Sequence, residues 1–382
     1  TRSMRRARRC RRPRSADRSA VYDLSDPRYA RQLVLRGFGP AAQERLANGR
    51  VLIVGAGGLG SPAASYLAAA GVGTISLVDT DVVDVTNLHR QLLYTTPDVG
   101  RRKVDVARER LQAINPQVVV HTHDTRLNAV NAAGLVAEHD VVIDATDNFP
   151  ARYAINDACL AQGIPFVYGS VARFDGQVSV FAAPDGPCYR CLFPVMPAPG
   201  TVPTCAEEGV LGVVPGIIGL HQATEAIKLL TAIGTPLVGQ LLLVDLLAQD
   251  SQRIAVAKRH DCPTCGDVRI PSLPAMSIQH CNPADVAALL TRDDAPIIID
   301  VREQWEYDLV HLPVSTLIPL NTLASKASAL DPSRTYALLC HHGMRSEMAA
   351  NWLMQNGFSH LINIDGGIDA WSMDVDPSLP RY

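Results

Sequence analysis

The chain has 382 residues, enough for two or three domains at about 150 residues each. Hydrophobic residues make up 47% and charged residues 19%, which excludes disorder throughout; with aromatics at 5%, the core must be mostly aliphatic. The net charge of −3 conceals an asymmetry: residues 1–18 hold nine arginines and one acid, Asp17, and the remainder sets 26 basic residues against 37 acidic ones, a net of −11. An acidic body argues against nucleic acid as a partner, and no apolar run of about 18 residues free of charge and breakers predicts a membrane span.

Residues 1–20 form a basic tail, built largely from Arg, Ser, Ala and Pro, that cannot bury apolar area and is predicted to be disordered. It reads either as an arm for anionic surfaces or as a dispensable extension. No apolar stretch follows it as in a secretory signal, so a cytoplasmic protein is expected. There the nine cysteines (Cys10, Cys159, Cys188, Cys191, Cys205, Cys262, Cys265, Cys281 and Cys340) point to metal or thiol chemistry rather than to disulfides.

Two short helices are predicted between Arg28 and Asn48, broken near Gly37–Pro40. Strands at Arg50–Val54, Ile75–Val78, Val118–His121, Val141–Ile143 and Phe166–Tyr168 then alternate with helices at Gly60–Ala70, Lys103–Ile114 and Arg152–Gln162. That alternation specifies an α/β fold with a doubly wound parallel sheet. Val178–Phe181, Gln240–Val244 and Arg253–Val256 would extend it with antiparallel strands, and Val213–Leu230 reads as one long helix. A Pro- and Ser-rich linker spans 270–277. A second, smaller α/β domain follows over 278–382, with helices at Pro283–Leu290 and Ser346–Asn356 and strands at Ile297–Ile299, Tyr336–Leu339 and Leu361–Ile364. The first domain is thus placed at 21–269.

Gly55-Ala56-Gly57-Gly58-Leu59-Gly60 lies between a predicted strand and helix, a spacing that offers a tight turn and bare helix N–H groups to a phosphate. Asp79 ends the next strand, where an acid meets a ribose hydroxyl. The turn alone does not separate a dinucleotide from ATP. The cations Arg90 and Lys103, with Asn87 nearby, favour a triphosphate, whose spread charge needs them. Asp147, after the strand that ends near Asp144, is placed to hold Mg2+; the plainer reading makes it a helix N-cap.

Cys188-x-x-Cys191 and Cys262-x-x-Cys265 are two knuckles of the kind that together enclose one structural zinc with no open position, although either pair alone resembles a redox motif. Cys205 lies in a loop bounded by Pro and Gly, as a half-buried thiol or a covalent participant. Cys340-His341-His342-Gly343-Met344-Arg345 follows a strand and opens a helix, so its backbone N–H groups and helix dipole favour an anionic sulfur, and Arg345 adds a positive charge. Adjacent His341 and His342 point apart in a tight loop and are not expected to share a metal. Cys159 reads as core.

With these motifs in place, residues 26–267 resemble the ubiquitin-activating-type adenylyltransferases of sulfur transfer, which include the molybdopterin-synthase and thiamine-biosynthesis enzymes. The resemblance is carried by residues 55–73, 77–93, 100–107 and 144–148. It implies ATP and Mg2+ as cofactors alongside one Zn2+ per chain. Asp79 would lie on the ribose, Asn87, Arg90 and Lys103 on the triphosphate, and Asp147 on the magnesium. Arg31 matches an arginine that reaches into a neighbouring subunit's site, which implies a homodimer. The implied partner is a small ubiquitin-like sulfur carrier whose C-terminal Gly-Gly carboxylate is adenylated. In some members the cysteine matching Cys205 forms a covalent intermediate.

Residues 278–375 resemble rhodanese sulfurtransferases through the Cys-x-x-Gly-x-Arg loop, Asp300–Glu303, Trp305–Tyr307 and Gly366–Trp371. Cysteine phosphatases usually have one more residue between Cys and Arg, so sulfur is favoured over phosphate. His311–Ser315 departs from the usual Gly-Ala turn of that family. The combination implies a Cys340 persulfide, charged by a cysteine desulfurase or thiosulfate, that converts the adenylate into a thiocarboxylate. Two alternatives explain less: an NAD oxidoreductase with a zinc knuckle leaves Cys340 and the cations unexplained, and a non-catalytic docking module leaves Arg90, Lys103 and Asp147 unexplained.

Overall fold

The computed structural model describes residues 26–197, 209–266, 278–292 and 294–382. The Arg-rich tail, the Cys205 loop and the expected linker 270–277 lie outside the described residues.

Eight strands form the first sheet: β1 Arg50–Val54, β2 Thr74–Val78, β3 Val119–His123, β4 Val141–Asp144, β5 Phe166–Ala172, β6 Asp175–Phe181, β7 Gln240–Asp245 and β8 Asp250–Ala255. Their order is β3-β2-β1-β4-β5-β6-β7-β8, with β1 to β5 parallel and the last three antiparallel additions. The central strands β1 and β4 are nearly continuous aliphatic runs because both faces are covered. Val51, Ile53 and Ile143 enter one apolar cluster, while Leu52, Val54 and Val142 enter the other, so side-chain alternation divides each strand between two layers. The edge strand β8 is exposed along its whole length.

The helices Gly60–Ala70 and Val213–Thr231 pack closely because both are rich in small residues. A Cβ on Gly219 would strike the Leu59 carbonyl, so only glycine fits that crossing. The sequence reading missed the helix Ala132–Ala137, which carries the chain from β3 to β4.

The second sheet comprises β9 Gln279–Cys281, β10 Ile297–Asp300, β11 Ser315–Leu317, β12 Thr335–Leu339 and β13 His360–Ile364, all parallel, in the order β11-β10-β12-β13-β9. Helices Pro283–Leu289, Gln304–Leu309, Met344–Gln355 and Gly367–Asp374 surround it. Apolar clusters again form on two faces, one around Leu338 and Leu353, the other around Leu339 and Trp371.

Each sheet contains a point where strand order reverses, between β1 and β4 in the first and between β10 and β12 in the second. The carboxyl ends of strands at such a crevice are where open α/β sheets hold ligands. The Gly-rich turn follows β1, and Cys340 follows β12.

Candidate active sites and thiolate cluster

At the first crevice Val54 is in register with Asp144, which sets the glycine turn beside the 144–148 loop. Gly55 has φ +96°, and a Cβ there would lie 2.5 Å from the Ala145 carbonyl oxygen, so the two loops touch only through a glycine. A Cβ on Gly60 would overlap the Gly55 carbonyl. Gly57 faces Gln91 and Gly58 faces Pro215 and Arg90, so all four glycines line one tight bend at the start of the helix Gly60–Ala70.

Asp79 closes this turn. Its carboxylate accepts the Ala56 N–H at 2.7 Å and the Asp81 N–H at 2.8 Å. Burial raises its carboxyl above the ordinary range, and those two N–H bonds act against the rise. Tyr94 donates to the Ala56 carbonyl at 2.8 Å and braces the turn from the other side.

The cations are handled unequally. Lys103 is buried, and its Nζ donates to Asp81 at 2.8 Å. Arg101 pairs with Asp98 and Glu109, and Arg102 with Asp124. Arg90 is half-buried and bonds no carboxylate among its described contacts, which include the Thr86 carbonyl at 3.1 Å. Asn87 accepts from the Gln91 amide at 2.7 Å, and Arg31 is exposed on the helix Ala30–Leu33.

Beside them Asp144 is buried and takes the Thr146 N–H and hydroxyl on Oδ1, at 3.0 and 2.6 Å. Its Oδ2 has no hydrogen-bond partner and lies 3.6 Å from Nε of buried Arg152. Asn148, not Asp147, caps the helix Phe149–Gln162 by accepting the Ala151 N–H, so the N-cap reading of Asp147 is corrected and its carboxylate is exposed. A cavity lined by Glu44, Arg45 and Leu230 lies at the amino ends of β1 and β4, away from these residues.

Cys188, Cys191, Cys262 and Cys265 converge, with all four Sγ atoms within 4.8 Å of one another. Sγ separations are 3.5 Å for Cys188 to Cys262, 3.3 Å for Cys191 to Cys265 and 3.9 Å for Cys188 to Cys191. A tetrahedron with zinc–sulfur bonds of about 2.3 Å has edges of about 3.8 Å, so the set fits a metal. The Arg259 N–H donates to Cys191 Sγ at 3.4 Å, a bond suited to a thiolate. Together the knuckles tie the segment after β6 to the segment after β8.

At the second crevice Cys340 is 1% exposed. Its Sγ accepts the Gly343 N–H at 3.1 Å and the Ser346 hydroxyl at 3.3 Å. Gly343 has φ +91° and a Cβ at Gly367 would strike the Cys340 and His341 carbonyls, so glycines fix the loop from both sides. The Ile368 and Asp369 N–H groups donate to those same two carbonyls. The positive charge expected from Arg345 is paired: both its terminal nitrogens donate to buried Glu306 at 2.6 Å. Burial would raise the Glu306 carboxyl, but Arg345, the Glu303 N–H and the Tyr382 hydroxyl outweigh it and bring it down to about 2. The rings of His341 and His342 stack 3.9 Å apart, which corrects the expectation that they point apart. In the departing 311–315 loop, His311 stacks on Tyr307, and the chain runs on into β11.

The two sites are matched by two known families. The ThiF family matches residues 29–264, and the rhodanese-like domain matches residues 282–374. The chain belongs to the ThiF family. A Mycobacterium tuberculosis protein described as a probable adenylyltransferase/sulfurtransferase, MoeZ, is 42% identical, with 93% of this chain and 95% of that one covered. The adenylyltransferase and sulfurtransferase MOCS3 of Arabidopsis thaliana is 36% identical over 93% of this chain and 85% of its own. A sulfur carrier protein adenylyltransferase of Thermus thermophilus is 52% identical over 63% of this chain and 90% of its own. Among solved structures, Escherichia coli MccB shares the fold, with a TM-score of 0.58 at 23% identity over 64% of this chain and 76% of that one.

This ThiF chain with its rhodanese domain is an adenylyltransferase and sulfurtransferase, which replaces the NAD oxidoreductase and docking-module readings. Family membership implies the use of ATP. Among the described residues no helix is long and apolar enough to cross a membrane.

The sequence reading missed Asp81, Asp144, Arg152 and Gln222 in the ThiF domain, and Glu306 and Tyr382 in the rhodanese domain. Gln222 donates to the Asp144 and Val167 carbonyls, knitting β4 to β5 under the site. One signal was present for Arg152: a charge at the position where the helix Phe149–Gln162 faces the sheet.

Proposed function

We propose that the chain activates the C-terminal Gly-Gly carboxylate of a ubiquitin-like sulfur carrier as an acyl-adenylate and then replaces the adenylate with sulfur carried on Cys340. The observation that carries this reading is that the glycine turn and Cys340 each stand at the strand-order reversal of their own sheet.

In the first half-reaction the carboxylate attacks the α-phosphorus of ATP and pyrophosphate leaves. Catalysis here is alignment and charge neutralisation, with no dedicated general base. The Gly55–Gly60 turn receives the nucleotide, and Asp79, already fixed to the turn, lies on the ribose. Arg90, Asn87 and Lys103 take the triphosphate, Lys103 by releasing Asp81. The exposed Asp147 carboxylate holds Mg2+, which offsets phosphate charge. The four thiolates hold one structural Zn2+, which clamps the strands beyond the nucleotide fold. A homodimer is supported by Arg31 lying beside exposed Val34 and Leu35.

In the second half-reaction a desulfurase or thiosulfate delivers sulfur to Cys340. The terminal persulfide sulfur attacks the acyl carbon, AMP leaves, and an acyl disulfide joins Cys340 to the carrier. A thiol then attacks the Cys340 sulfur, the carrier departs as a thiocarboxylate, and the resulting disulfide is reset by a reductant. Cys205 is the candidate for that thiol. A cytoplasmic location suits these reduced thiols.

The test of the first step is pyrophosphate exchange with ATP, Mg2+ and candidate carriers ending in Gly-Gly. Exchange with one carrier and none with its Gly-Gly-truncated form is expected. No exchange with any carrier would overturn the reading.

A further inference from the structure

The segment Asp376–Tyr382 follows the helix Gly367–Asp374 and brings Tyr382 against the Cys340 loop. Leu379 packs on the cluster around Trp371, and Arg381 donates to Asp369 at 2.8 and 3.3 Å, which anchors the approach. Asp369 is also the carboxylate nearest His342, at 3.8 Å. Tyr382 then meets four residues, among them His341 and Glu306 of the site, and its ring meets Trp305 edge-on at 6.2 Å. Its ring stacks on His341 at 4.3 Å, with planes 8° apart. Its hydroxyl accepts from Arg302 at 2.8 Å and donates to Glu306 at 2.9 Å.

Those two partners head separate ion pairs. Arg302 is wholly buried and held by Asp300 through 3.0 and 2.6 Å bonds at the end of β10. Glu306 holds Arg345, the last residue of the Cys340 loop. The Tyr382 hydroxyl is therefore the link between a rigid pair in the core and the pair that flanks the sulfur. Tyr382 is itself 40% exposed, so apolar burial does not account for its place.

We propose that Tyr382 is a positioning residue for sulfur transfer: its ring fixes the His341 side chain over the loop, and its hydroxyl limits the swing of the Glu306–Arg345 pair, so that a persulfide on Cys340 is presented in one orientation. This rests on Cys340 carrying the sulfur. Tyr382 touches neither the sulfur nor the nucleotide, so it acts through His341 and Arg345.

The experiment compares Y382A, Y382F and C340A in the full chain, reading sulfur transfer from thiosulfate, the rate at which iodoacetamide alkylates Cys340, and pyrophosphate exchange. Y382A is expected to lower kcat about tenfold with KM within about twofold, and to speed alkylation several-fold. Y382F keeps the stack, so alkylation should stay within about twofold of the parent while kcat falls about threefold. Exchange should be unchanged in both. Wild-type transfer and alkylation in Y382A would overturn the proposal, as would Y382F exposing Cys340 as fast as Y382A. Sulfur transfer that survives in C340A would instead overturn the assignment of Cys340.

Discussion

The two crevices occupy the same topological place in their sheets, yet they are finished in opposite ways. At the first, Arg31 and Asp147 are exposed and Arg90 half-exposed, and Lys103 is paired with a single acid. At the second, Cys340 is 1% exposed, its Sγ accepts two hydrogen bonds, and the nearby arginine is doubly bonded to a buried carboxylate. Under the proposed function the difference follows the cargo. A triphosphate arrives with its own charge and can displace an exposed counter-ion, so its site can wait open. A persulfide is reactive toward any thiol, so its site is walled and its charges are balanced beforehand.

The largest effect that sharpens this contrast is at Lys103. K103A removes a buried cation from the open site, and pyrophosphate exchange should fall by about 10²–10³-fold, the usual cost of one charge-stabilising donor. A fall of less than about tenfold would mean that Lys103 serves only Asp81.

Metal removal is the next effect. C262S opens the thiolate cluster, and bound zinc should drop from one per chain toward none. The melting transition of the ThiF domain should fall by about 10 °C, as expected for a few kcal/mol in a domain of this size. Full zinc in C262S, measured by atomic emission, would remove the four-cysteine assignment.

The smallest effect concerns Glu306. Its carboxyl titrates at about 2 against an ordinary 4.5, so the pair with Arg345 stabilises the fold fully above pH 4.5 and loses that contribution as pH falls toward 2. E306Q should flatten acid unfolding of the rhodanese domain across that window, read by near-ultraviolet circular dichroism. An unchanged slope would show that Glu306 is not a strong pair in the folded state.

The same contrast explains what could be read in advance. Parallel strands such as Arg50–Val54 announce themselves as unbroken aliphatic runs, and the glycine turn, the two knuckles and the Cys340 loop are local spacings. The helices Ala132–Ala137 and Gln304–Leu309 were missed because six residues are too short to show a helical period. The strand Gln279–Cys281 carries no apolar alternation and is defined only by its pairing with β13. The residues proposed for the nucleotide are all motif residues, so their grouping could be read in advance. The wall around Cys340 could not, because it is made of pairs distant in the chain: Glu306 meets Arg345 across 39 residues and Tyr382 across 76. The pairing of Arg345 with Glu306 could not be read in advance for that reason.

That two separate sites act in series on one carrier is tested by C340A in a reaction holding ATP, Mg2+, thiosulfate, a reductant and a Gly-Gly carrier, with pyrophosphate exchange and carrier thiocarboxylate measured together, the latter by mass spectrometry. Two sites in series predict exchange within about twofold of the parent and no thiocarboxylate. Loss of both signals, or survival of both, would contradict it.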